Sequence, residues 1–101
     1  MIERYVFIKL KDEHSSREGR REVIDHSRKV LPEIPGVNSV SVGEPADGHA
    51  VAAWDVGIVV RFESIDAVEP YRAHPDHRAY VDEFLKPRMA VIKAWNFDLS
   101  A

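Results

Sequence analysis

The sequence predicts an α+β domain in which helices cover one side of a four-stranded antiparallel sheet. Two kinds of periodicity carry that expectation. Four segments alternate apolar with other residues at a period of two, and two stretches place apolar residues at helical spacing, in the order β-α-β-β-α-β. At 101 residues the chain is expected to form one domain, residues 1–101, and its 45% hydrophobic and 31% charged composition is that of a globular protein.

The first strand is expected over residues 2–10. Ile2, Arg4, Val6, Ile8 and Leu10 fall on one face, with Tyr5, Phe7 and Lys9 on the other. Ser15 and Glu18 read as a capping box for a helix whose buried stripe is Val23, Ile24, Ser27, Val30, Leu31 and Ile34. Pro32 is expected to kink its last turn and Pro35-Gly36 to end it. A second strand follows over about 37–43, then a loop over 44–50. The third strand is expected over 51–62, with Trp54, Val56, Ile58, Val60 and Phe62 on one face and Asp55, Gly57, Val59 and Arg61 on the other.

Ser64 reads as the cap of a short helix carrying Ile65 and Val68, kinked or ended early by Pro70. A second helical piece starts at Pro75, a residue suited to a first helical position, and buries Val81, Phe84 and Leu85. The last strand, 88–98, sets Val91, Lys93, Trp95 and Phe97 against Ala90, Ile92, Ala94, Asn96 and Asp98. This order is the split βαβ, or ferredoxin-like, arrangement.

Helices in that arrangement cover one sheet face and leave the other open, and an open face is normally polar. Here it must carry Tyr5, Phe7 and Val59 at least. Apolar area removed from water is worth roughly 25 cal/mol per Å² before association costs. A homodimer packed sheet to sheet is therefore expected.

Several function classes lose support. The formal charge is -3 and the cluster Arg17, Arg20, Arg21 is interrupted by Glu18 and Glu22, so neither nucleic acid nor membrane is an expected partner. The chain has no cysteine, which excludes disulfides and thiolate chemistry. No leader pattern or membrane-length apolar run is visible, and a cytoplasmic location is the expectation. Pro75 separates His74 from His77, and His14, His26 and His49 lie in loops or on a wet helix face, so no metal is expected. No phosphate-binding glycine loop or serine-nucleophile elbow occurs, and no cofactor is expected.

Polar chemistry is densest in Tyr71-Arg-Ala-His74-Pro75-Asp76-His77. Together with Phe62-Glu-Ser64, the opening Tyr5-Val-Phe-Ile-Lys9-Leu-Lys11 and the turn Ile34-Pro-Gly-Val37, it resembles the signature of the stress-responsive A/B barrel (Dabb) family. The resemblance spans nearly the whole chain. It implies a dimeric α+β barrel with a pocket in each subunit between sheet and helices. Its members include proteins without an established reaction and a plant polyketide cyclase that performs an intramolecular aldol condensation. Matched to that cyclase by motif position, His77 would be the general base and Tyr71 would polarise or position a substrate carbonyl. Asp98 matches a family carboxylate that could orient the histidine.

Imidazole titrates near working pH and can take an acidic proton between carbonyls, and a phenol can hydrogen-bond the developing enolate. The chain departs from the cyclase pattern at Arg4 and Val56, which stand where cyclase-like members carry histidines. That speaks against the same cyclisation. Arg4 either points into the pocket, implying an acidic or carbonyl-bearing ligand, or snorkels to solvent at the strand end. His74, biased to an extended backbone by Pro75, either contributes to binding or caps the next helix. The expected function is small-molecule binding, with proton-transfer chemistry of the cyclase, isomerase or lyase type if the protein is an enzyme. The alternatives are a non-catalytic stress-response or assembly protein and a monooxygenase-like barrel.

Overall fold

The computed structural model describes residues 1–101. Four strands, β1 (Ile2–Leu10), β2 (Ser39–Gly43), β3 (Val56–Phe62) and β4 (Met89–Asp98), form one antiparallel sheet in the order β2-β3-β1-β4. That is the ferredoxin-like topology. β1 lies between β3 and β4, with Arg4 opposite Val60 on one side and Asn96 on the other. Its central place is why both its faces are rich in large side chains. The register shifts between Lys9 and Leu10, after which Leu10 still pairs with Met89 of β4.

Helix α1 (Arg17–Val30) buries Val23, Ile24 and Ser27 against the sheet and continues as a 3₁₀ turn, Leu31–Glu33, that adds buried Leu31. Pro32 is accommodated in that turn. Gly36, at φ 93°, ends the segment in a conformation that side chains disfavour. The cap is Ser16, whose hydroxyl accepts from the Gly19 amide; Ser15, expected in that place, instead donates to the Asp12 carbonyl.

The expected long third strand is shorter than its apolar run. Residues Gly48–Ala53 form a helix, α2, capped by Asp47 through the Ala50 amide. Alanine at three of its positions favours helix over strand. Trp54 therefore does not share the face of Val56 and Ile58: its ring packs 5.6 Å from Phe7, on the side away from the helices. Asp55, expected on the other face with Gly57, is fully buried. Its carboxylate accepts from the Leu10 amide at 2.8 Å and from Arg20 Nε at 2.9 Å, tying the start of β3 to β1 and α1.

After β3, a 3₁₀ turn (Ile65–Ala67) leads into α3 (Val68–Ala73). Pro70 lies in the first turn of α3, where a missing N–H costs least. Helix α4 (Pro75–Ala79) starts on proline and passes into a single π-helical stretch, Tyr80–Leu85. That widened stretch buries Tyr80 and Leu85, while Val81 and Phe84 are only partly buried. The core lies between these helices and Ile8, Leu10, Val56, Ile58, Val60 and Phe62 of the sheet. No helix is long and apolar enough to cross a membrane.

Candidate functional site

Tyr71 reaches the core because α3 runs beneath β3. It is 2% exposed, and its ring meets Phe62 edge-on at 5.0 Å. His74-Pro75 breaks the helical path between α3 and α4, since the residue before proline avoids helical backbone. His74 is extended there (φ -62°, ψ 138°), and its Nδ1 accepts from the Asp76 amide at 3.1 Å. The break folds α4 back so that the His77 ring lies 4.5 Å from the Tyr71 ring. His77 Nδ1 faces the Arg72 carbonyl at 3.2 Å. With Nδ1–H donating to that oxygen, Nε2 carries the free lone pair.

Tyr71 and His77 both line a cavity of about 520 Å³ between the helices and the covered face of the sheet. That is the size range of small-molecule sites. Arg4 and Val6 of β1, Val60 of β3 and Ile92 of β4 supply its sheet wall. Tyr80 and Leu85 supply part of its helix wall. Trp54, Phe84 and Trp95, the bulky side chains best able to plug such a space, are not among the lining residues.

The electrostatics favour a neutral imidazole beside a protonated phenol. Burial lowers the His77 pKa from its ordinary 6.5, and the Arg4 and Arg72 charges act in the same direction against a partly opposing Arg72 hydrogen bond. Burial raises the Tyr71 pKa well above its ordinary 10.0. Tyr80 is pushed up to about 12, again by burial, and its hydroxyl lies 2.5 Å from Ser27 Oγ. Tyr71 has no such partner: no protein group hydrogen-bonds its hydroxyl, which is left to the cavity.

The structure thus brings Arg4, Tyr71 and His77 to one cavity and leaves His74 and Asp98 outside it. His74 serves as a helix cap because its ring accepts the amide two residues on. Asp98, expected to orient the histidine, accepts from the amide and hydroxyl of Ser100 instead, at 3.0 and 2.7 Å. The group that faces His77 Nδ1 is the Arg72 carbonyl. Tyr80, Arg72, Arg78 and Glu69 also line the cavity and were not expected. Tyr80 carried a sequence signal, lying three residues beyond His77 on a helical face. No three histidine, aspartate or glutamate side chains converge in a metal-binding arrangement.

Solved structures share this architecture. A Dabb protein from Mesorhizobium loti with a ferredoxin-like fold superposes at a TM-score of 0.80 with 23% identity, over 96% of this chain and 94% of that one. A dimeric ferredoxin-like protein of unknown function from Thermobifida fusca gives 0.79 and 26%, over 97% and 90%. A Deinococcus radiodurans chain, described as a candidate antibiotic biosynthesis monooxygenase, gives 0.73 and 14%, over 97% and 91%, which shows a shared fold alone. No curated protein matches the chain. Residues 2–99 match the family model of the stress responsive A/B barrel domain, so the sheet, its covering helices and the Tyr71–His77 segment belong to one member of that family.

Proposed function

We propose that the protein is a homodimer in which each subunit's cavity binds a small carbonyl compound and moves a proton on it. One observation carries the chemistry: the Tyr71 hydroxyl, unpartnered by the protein, opens onto the cavity beside His77. A hydroxyl that no protein group engages, left accessible on a largely apolar cavity wall, is free to hydrogen-bond a ligand.

The groups divide the reaction as follows. His77 Nε2 takes a proton from the carbon next to the substrate carbonyl. The released electron pair moves onto the carbonyl oxygen, and the Tyr71 hydroxyl donates a hydrogen bond to that developing enolate. A buried phenol of raised pKa stays protonated and remains a donor. An imidazole of lowered pKa is a weaker base, which suits an acidic C–H between two carbonyls better than one beside a single carbonyl. Return of the proton to another carbon would give isomerisation, and attack of the enolate on a second carbonyl would give an aldol product.

The pairing reading rests on the other face. Tyr5, Phe7, Trp54, Trp95 and Phe97 cluster there, and Trp95 and Phe97 are 51% and 49% exposed in the single chain. A second copy would cover them, as the dimeric state of the Thermobifida fusca relative suggests. Pure assembly would leave the cavity and its free tyrosine without use. The monooxygenase alternative rests on shared fold alone.

Deuterium uptake into ethyl 2-methylacetoacetate, followed by proton NMR, tests the chemistry. The wild type should accelerate exchange, His77→Ala should lose about 10²–10⁴-fold, and Tyr71→Phe about 10²–10³-fold. No acceleration by the wild type, or variants that keep the wild-type rate, would overturn the reading.

A further inference from the structure

Proton abstraction by His77 with Tyr71 hydrogen-bonding the enolate leaves Arg4 without a task. Arg4 lies on the covered face of β1, between Ile2 and Val6, and its register neighbours are Val60 and Asn96. The guanidinium lines the cavity and is half-buried. It makes one hydrogen bond to protein, from Nη1 to Asn96 Oδ1 at 3.0 Å, and that partner is uncharged. No carboxylate forms an ion pair with it.

The other cations of the lining are accounted for. Arg72 holds Glu69 at 2.8 Å, and Arg78 holds Asp82 at 3.3 Å. Glu69 is the one carboxylate among the lining residues, and Arg72 engages it. Arg4 is therefore the single unpaired permanent charge of the cavity, set in a wall of Val6, Ile58, Val60, Leu85 and Ile92. A partly desolvated cation without a counter-charge is unfavourable, and a planar guanidinium matches a carboxylate through two parallel hydrogen bonds. Asn96 fixes one donor of the fork and leaves the others free.

We propose that Arg4 is a specificity residue that binds the carboxylate of the ligand, and that the substrate class is an apolar oxo monocarboxylate. The apolar chain lies along the valine, isoleucine and leucine wall. One unpaired cation selects one carboxylate, and a diacid would leave its second charge facing Glu69. The oxo group of this assignment rests on the proton-transfer reading; the carboxylate does not.

Calorimetric titration with octanoate and with octanamide separates the two. The wild type should prefer octanoate by about tenfold or more, as expected for hydrogen bonds to a charged group. Arg4→Gln should bring the two affinities to within about threefold, with folding checked by circular dichroism. Arg4→Lys keeps the charge without the fork, and should retain a smaller preference. His77→Ala should keep the full octanoate preference, so that failure of the base and failure of the anchor give different results. An unchanged preference in Arg4→Gln, or no octanoate binding by the wild type, would overturn the proposal. Should Arg4→Gln not fold, Arg4→Lys decides, and an unreduced preference there overturns it.

Discussion

The two faces of the same sheet solve opposite problems. The covered face holds Ile8, Val56, Ile58, Val60 and Phe62, nearly all fully buried in the single chain, yet it leaves a cavity where Arg4 and Val6 meet Tyr71 and His77. The open face carries Tyr5, Phe7, Trp54, Trp95 and Phe97 and leaves two of them, Trp95 and Phe97, exposed. It is also uneven. Along β1 and β4 it is aromatic, through Tyr5, Phe7, Trp95 and Phe97. Along β2 and β3 it is polar, where Arg61 bonds Glu3 at 3.2 Å and Ser41 at 3.1 Å. Small and medium aliphatics frame a space, whereas large flat rings offer area for association. In the proposed function, exposed hydrophobic size marks the pairing side and unpaired polar groups mark the chemical side.

The comparison breaks most readily at the covered face. Phe62→Ala should cost about 3–5 kcal/mol of stability in urea denaturation, because it opens a hole beneath the Tyr71 ring. A loss under about 1 kcal/mol would mean that the face is not packed as described. On the open face, Trp95→Asp should weaken association by about 2 kcal/mol or more, read by analytical ultracentrifugation, and keep its secondary structure only at concentrations where the dimer persists. Unchanged association would remove β4 from the interface. Asp55→Ala lies at the edge between the faces and should cost about 1–3 kcal/mol, since the buried Leu10 amide loses its acceptor.

Protonation sharpens the covered face by a smaller amount. His77 and His26 both have pKa values lowered by burial, so the unfolded chain binds their protons first as pH falls. Their contribution is fully present above the ordinary value of 6.5 and is lost as pH drops through and below it. Exchange activity should follow the same sense, flat through neutral pH and falling only below that ordinary range. A denaturation series and a rate profile over pH 8 to about 4.5 check both, and activity that rises on acidification would contradict His77 as the base.

Strand alternation grouped the residues on each face of β1 and β4, Trp95 with Phe97 among them, but which face the helices cover for β4 followed only from the pairing register. The stripe of α1 was legible for the same reason, because Val23, Ile24, Ser27 and Leu31 repeat at helical spacing. Alternation failed at residues 48–55. Helix α2 is six residues long, too short to show a period, and its valine resembles strand chemistry. Asp55 was misplaced because a buried carboxylate depends on two distant partners, Leu10 and Arg20, that no local pattern reveals. Within the cavity, Tyr71 and His77 stood out through their motif, while Tyr80 and the Arg72 carbonyl did not. Pro75 announced the break after His74, but their roles also depend on the π-helical stretch, which only the folded backbone displays.

The division of labour between the faces is tested most directly by sedimentation equilibrium over a dilution series, with circular dichroism on each sample. The account predicts a species of twice the 11.5 kDa chain mass and loss of folded signal wherever that species dissociates. A chain of single mass that stays fully folded on dilution would contradict it.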